Sequence, residues 1–259
     1  MGTTLYKNAD WIITMNEKRE KIRHGDLLIS GKEILDVGTD LEKKYEGTLK
    51  IDHVVEAEGT VILPGFVNVH HHTWQSLIRN IQATRGLKLE PWLTVMYEIY
   101  KDLNTDVARA GVYSGLGDML KTGCTTSNDL WYPHPVGVKY LVDAEIEAAA
   151  EIGIRFHPTR GFHSVPSSIV PPEVVDTKES VVEDTIRLVK KYHDRSRFSM
   201  CQVGIAPSIA QYETEDIIEA VVDLAEEYDI MVHGHLAESQ HEVEYTLKTW
   251  GCRPFEWFK

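Results

Sequence analysis

Over the first sixty residues, apolar positions come in short alternating segments such as Asp10-Trp-Ile-Ile-Thr-Met15 and Gly25-Asp-Leu-Leu-Ile-Ser30, broken at Ser30-Gly31-Lys32 and Gly38. Alternation between tight turns predicts a small antiparallel β module over residues 1–60. From Thr60 onward the rhythm becomes extended run, loop, amphipathic stretch, repeated to the end of the chain. The extended runs are 62–69, 124–130, 154–157, 198–206 and 230–235. Helical spacing fills Thr105 to Lys121, Val136 to Ile152, Lys178 to Tyr192, Thr214 to Tyr228 and Ser239 to Trp250. Thr105 is placed to cap the first of these and Gly123 to stop it, while Glu215 and Asp216 suit a first helical turn. Five strands joined by helical crossovers predict a parallel α/β sheet over residues 61–259, either closed as a βα-barrel or open and doubly wound.

Composition narrows the function. At 259 residues, 42% apolar and 26% charged, the chain has the profile of a globular protein with a substantial core. Its net charge of −13, from 27 Lys and Arg against 40 Asp and Glu, would repel a phosphate backbone, and no basic stripe interrupts it. Nucleic acid is therefore excluded as a partner. There is no apolar run of membrane-spanning length and no basic segment followed by an apolar core at the N-terminus, so a cytoplasmic protein without membrane partners is expected. Cys124, Cys201 and Cys252 are far apart and lack Cys-x-x-Cys spacing, which fits reduced thiols better than disulfides or a thiolate zinc site.

The chemistry gathers where strands end. In parallel α/β folds, catalytic groups stand at the C-terminal ends of the strands. Val61-Ile-Leu-Pro-Gly-Phe-Val-Asn-Val-His-His-His72 ends the first run; if Phe66 to Val69 is a buried strand, His70 and His72 share a face and His71 points away. A surface cluster or a tag is the plainer explanation of three histidines, but the strand and the Pro-Gly turn before them argue against a tag. The second run ends in Asn128 and Asp129, the third in His157 and Arg160, the fourth in Ser208, and the fifth in His233, His235 and Glu238. Neutral imidazoles holding zinc or ferrous iron leave an open position for water, and a neighbouring carboxylate can move that water's proton. His233 shares His235's face by parity, so either could serve as ligand. Gln75 lies close enough to hydrogen-bond a substrate amide edge. Trp74, Trp92 and Trp131 could wall a flat ring or belong to the core. Arg160 is placed to bind a carbonyl or to anchor a loop. His24, His53, His134, His163, His193 and His241 read as surface or loop residues.

The chain resembles the amidohydrolase superfamily in its cytosine-deaminase and triazine-hydrolase branch. The matching motifs are Leu63-Pro-Gly-Phe-Val-Asn-Val-His-His-His72, Gln75, Lys121-Thr-Gly-Cys-Thr-Thr126 and His233-Gly-His-Leu-Ala-Glu238. Phe156-His-Pro-Thr-Arg-Gly161, Ala206-Pro-Ser208 and Gly251-Cys-Arg-Pro254 extend the likeness towards 8-oxoguanine deaminases and hydroxyatrazine-type aminohydrolases. The resemblance implies an incomplete (β/α)8 barrel of about five βα units, with part of a small N-terminal β-sandwich. It also implies His70, His72 and His235 as ligands of one divalent metal, Zn2+ or Fe2+, with Glu238 as proton shuttle and Gln75 as a substrate contact; Trp74 and Arg160 are the further candidates for substrate binding. No Lys occurs between Met200 and Ser208 to bridge a second ion.

The implied activity is hydrolytic deamination of an amino-substituted N-heterocycle, such as 8-oxoguanine or a related purine, pterin or triazine. Alternatives are release of an alkylamine from a triazine, or a non-catalytic fragment or split subunit. Family members add a histidine after strand six and an aspartate after strand eight, whereas this sequence stops at Lys259. The expectation is a truncated or split protein, inactive alone and completed by a C-terminal chain or in a full-length homo-oligomer, with apolar surface at two open sheet edges.

Overall fold

In the computed structural model, which describes residues 2–258, the alternating segments form β1 (Thr3–Ile13), β2 (Lys21–Ser30) and β3 (Glu33–Gly38), an antiparallel meander. The short helix α1 (Leu41–Lys44) then carries the chain across to β4 (His53–Glu56) and β5 (Val61–Ile62), both parallel to β1. The sheet is therefore mixed rather than antiparallel. A helical crossover returns the chain in its original direction, which a tight turn cannot do. Leu5, Leu28 and Leu41 pack in one cluster of this unit, and Ala9, Ile12 and Ala57 in another. Contacts divide the chain after Gly65.

The second unit begins with β6 (Phe66–Asn68), followed by a 3-10 turn at Thr73–Leu77 and a helix that the apolar pattern did not announce, α2 (Leu89–Tyr100). Next come α3 (Thr105–Lys121), β7 (Cys124–Trp131), α4 (Leu141–Ile152), β8 (Arg155–Phe162), α5 (Lys178–Tyr192) and β9 (Gly204–Pro207). The helices α6 (Glu215–Tyr228), α7 (Gln240–Trp250) and α8 (Pro254–Trp257) complete the unit. The four strands are parallel and lie in the order β6-β7-β8-β9. Sequential order without a reversal is that of a βα-barrel, and it excludes the doubly wound alternative. This is a four-strand parallel half-barrel.

The differences from expectation have local causes. Asn104, not Thr105, caps α3, its side chain accepting from the amides of Asp106 and Val107 at 3.0 and 3.1 Å. Helix α4 starts at Leu141 rather than Val136, after Gly137 and Tyr140 with φ of 85° and 66°. The fifth expected strand, 230–235, stays irregular. Ile205 donates to the Met231 carbonyl and accepts from His233, both at 3.0 Å, but the next donor on β9 would be Pro207, which has no N–H. The ladder stops there, and His235 N donates instead to the Ser208 carbonyl at 3.0 Å.

Nor is the first strand buried: Phe66, Val67 and Val69 are 57%, 63% and 67% exposed. Among the described residues β6 pairs only with β7, so its other edge and its apolar side chains stay open. The exposed Met231 and Val232 stand beyond β9, at the opposite side of the sheet.

Two glycines of α3 decide how the residues after β6 are seated. A Cβ on Gly111 would lie 2.8 Å from the Trp74 Cα, and one on Gly115 would lie 2.5 Å from Ser76 Oγ and 3.0 Å from His71 Cε1. The 3-10 turn thus rests directly on the helix backbone. Gly117, in the same helix, faces open space. Gly117→Ala is expected to raise stability by about 0.5–1 kcal/mol, the ordinary gain of a helix interior. Gly111→Ala should lower it, because displacing backbone costs about 1–3 kcal/mol and exceeds that gain; urea denaturation of both variants checks the contrast.

Candidate metal centre

The run of histidines leaves β6 in extended backbone, with His72 at φ −134° and ψ 94°, so alternate side chains take opposite sides. His71 turns to α3, its ring against Gly115. His70 and His72 turn the other way and meet His235. His70 Nε2 and His72 Nε2 each lie 3.2 Å from His235 Nε2. The three ligand atoms fall within 4.8 Å of one another. His233, which strand parity left as an alternative, is outside this cluster.

The opposite nitrogens decide what the cluster can do. His72 Nδ1 donates to the Leu130 carbonyl at 2.8 Å, and His235 Nδ1 donates to the Ser208 carbonyl at 3.2 Å. A carbonyl only accepts, so both Nδ1 atoms carry the proton and both Nε2 atoms present lone pairs. Lone pairs converging at 3.2 Å repel unless a cation lies between them. Burial first, and the neighbouring imidazoles second, push His72 down to about 3 and His235 to about 4, so both rings are neutral at physiological pH. Backbone carbonyls that orient the far nitrogen are the usual support of a histidine metal ligand. The residues fit one divalent ion.

A cavity of about 330 Å³ opens over the cluster. Gln75, in the 3-10 turn, lines it, its amide nitrogen donating to the hydroxyls of Tyr100 and Tyr132 at 3.1 and 3.2 Å. Trp92, Tyr97, Tyr132 and Tyr212 supply aromatic surface. Glu238 lies at its rim, partly exposed; burial raises its carboxyl above the usual range, and the carboxylates of Glu242 and Glu90 raise it further. Ser239 begins α7 immediately beyond, its side chain accepting from Glu242 N.

Two expected substrate contacts are elsewhere. Trp74 is 1% exposed and packs behind His72 against Trp131, ring centroids 4.5 Å apart, so it supports the site from the core. Arg160 is 2% exposed and turned away from the cavity. Its Nε donates to Asp184 at 2.9 Å and its Nη2 to Asp176 at 2.9 Å, so it anchors the middle of α5 and the loop before that helix. Residue 160 stands at a strand's C-terminal end as expected, but its side chain leaves on the outer face.

Other residues belong to the cleft without having been foreseen. His163 is fully buried and lines the cavity, its Nε2 bonded to the Tyr97 hydroxyl at 2.5 Å; burial pushes it down to about 3. It sits one residue past the end of β8, a position that could have flagged it. His134 is also buried, beside the Trp131 carbonyl, but lies outside the cleft. Tyr97 comes from the unannounced helix α2, and nothing in its local sequence marks it.

Comparison with known proteins bears on the same residues. The amidohydrolase family model matches residues 61–255. An 8-oxoguanine deaminase of Pseudomonas aeruginosa is 31% identical over 78% of this chain and 46% of its own. A hydroxydechloroatrazine ethylaminohydrolase of Pseudomonas sp. strain ADP is 28% identical over 99% of this chain and 55% of its own. Among solved structures, an atrazine chlorohydrolase variant from Arthrobacter aurescens TC1, complexed with zinc and atraton, superimposes with a TM-score of 0.88 at 25% identity, over 98% of this chain and 57% of that one. The chain spans about half the length of the curated relatives it matches.

Replacing Arg160 tests its place in the fold. Arg160→Ala leaves Asp176 without its buried partner and is expected to destabilise the second unit by about 3–5 kcal/mol, the usual cost of breaking such a pair. Guanidinium denaturation reads the loss.

Proposed function

Since the chain belongs to the amidohydrolase family, we propose that the whole protein is a metal-dependent hydrolytic deaminase of an amino-substituted N-heterocycle, such as 8-oxoguanine or a related purine, pterin or triazine. The observation that carries this reading is the convergence of three histidine Nε2 atoms at the floor of an aromatic cleft.

In this reading His70, His72 and His235 hold one Zn2+ or Fe2+. The ion would supply Lewis acidity that makes water a competent nucleophile near neutral pH. Tyr132, Tyr97, Tyr212 and Trp92 confine a flat ring and exclude bulk solvent from it. Gln75 is oriented by the two tyrosine hydroxyls that its amide nitrogen engages, and its oxygen is left to accept from a ring or exocyclic N–H. Glu238 takes a proton from the attacking water and returns it to the departing amine; its raised carboxyl suits both halves of that transfer.

A second reading keeps these roles and changes the leaving group to an alkylamine. It is favoured by the likeness to the ethylaminohydrolase over nearly the whole chain.

Metal analysis of the purified protein should find about one equivalent of zinc or iron, as one three-histidine set implies. Ammonia release across a panel of 8-oxoguanine, guanine, pterin and aminotriazine substrates should identify the ring, and release of ethylamine instead selects the second reading. Glu238→Gln should lower kcat by about 10²–10⁴-fold, the usual contribution of a positioned acid–base group, while leaving the metal content unchanged. Full activity in Glu238→Gln, or activity without bound metal, overturns the proposal.

A further inference from the structure

The arm that carries His70 and His72 is gripped by two carboxyl groups that the proposed chemistry does not use. Asp129, near the end of β7, and Glu145, in α4, are both fully buried. Asp129 Oδ1 accepts from the amide of Thr73, the residue after His72, at 2.6 Å, and the Thr73 hydroxyl donates to Glu145 Oε1. Because both carboxyls close on the same residue, Thr73, they lie beside each other. Their second oxygens, Asp129 Oδ2 and Glu145 Oε2, are buried and have no hydrogen-bond partner among the described residues. Two adjacent carboxylates cannot both stay ionised out of water, and one proton between the two idle oxygens satisfies both at once. Burial raises both groups, and the Asp129 charge raises Glu145 further. The pair is not a second metal site, because among the described residues metal-ligand spacing is met only by the three histidines.

We propose that Asp129 and Glu145 form an acid–carboxylate pair holding one shared proton, and that this pair acts through Thr73 as the positioning device that aims His72 at the metal centre. The proposal rests on reading His70, His72 and His235 as ligands. Its geometry is closed on every side: Asp129 fixes the Thr73 amide, Glu145 fixes the Thr73 hydroxyl, and the shared proton ties one carboxyl to the other. The amide of Glu145→Gln can donate to Asp129 and still accept from Thr73, so it reproduces every bond. Alanine at either position removes that carboxyl's bond to Thr73 and the shared proton, and Thr73→Val removes only the hydroxyl donor while keeping the shape.

The test has a metal-free and a metal-bound arm. In metal-free protein, amide hydrogen exchange over residues 70–75 should accelerate in Asp129→Ala, Glu145→Ala and Thr73→Val relative to the other segments, and should stay at the wild-type rate in Glu145→Gln. In the metal-bound arm, Co2+ affinity should fall about 10–100-fold in the three disrupting variants, as for lost support of a metal ligand, with an altered Co2+ absorption spectrum. Glu145→Gln should bind Co2+ as the wild type does. Should the alanine variants fail to fold, Thr73→Val carries the comparison. Unchanged exchange over 70–75 in Thr73→Val, a uniform rise across the whole chain, or a Glu145→Gln as damaged as Glu145→Ala would overturn the proposal. If the wild type takes up no Co2+, the ligand reading fails instead, and the metal-free exchange alone decides the clamp.

Discussion

The candidate centre depends on one residue of β7 using both halves of its peptide unit on the neighbouring chain segment. Leu130 donates its N–H to the His71 carbonyl at 3.0 Å, and its own carbonyl accepts from His72 Nδ1 at 2.8 Å. The first bond continues the β6–β7 pairing beyond the last regular strand residue. The second fixes the tautomer of His72 and so the direction of its remaining lone pair. Without the first bond the arm would have no register, and without the second the lone pair no direction.

The same solution recurs across the cleft. The Ser208 carbonyl, just past β9, accepts both the main-chain N–H and the Nδ1–H of His235. Pro207 makes this necessary, because the missing N–H ends the ladder one rung early and leaves His235 in irregular backbone. A histidine there would otherwise be free to rotate. The carbonyl that satisfies its backbone also orients its ring. Both imidazoles are thus supported by strand-end carbonyls that need partners in any case, since buried backbone acceptors are rarely left unpaired.

Support from below is steric. Gly111 and Gly115 let the turn after His72 lie directly on α3, and Trp74 fills the space behind the ring. The aromatic cleft above is built from α2, the residue that follows β7 and the loop after β9, segments far apart in sequence. Residues that line one wall share no local pattern, so Tyr97 could not be read from its neighbours, and His163 was signalled only by its place just past β8. Arg160 shows the converse. Its position at a strand end was legible, but whether its side chain faces inward or outward depends on partners, and Asp176 and Asp184 hold it on the outer face.

By itself, the sequence determined the alternation of strands and helices, because the periods of two and 3.6 are properties of the backbone that a single chain displays. It also placed His70, His72, His235 and Glu238 at the ends of extended runs, since parallel topology puts every such end on one rim. The tertiary structure decided the rest. It chose His235 over His233, moved Trp74 and Arg160 out of the cleft, brought Tyr97 and His163 into it, and stopped the fifth strand at a proline's missing donor. Each of these outcomes turns on a partner more than a dozen residues away, and a hydrogen bond or a packed ring has no direction until that partner is in place.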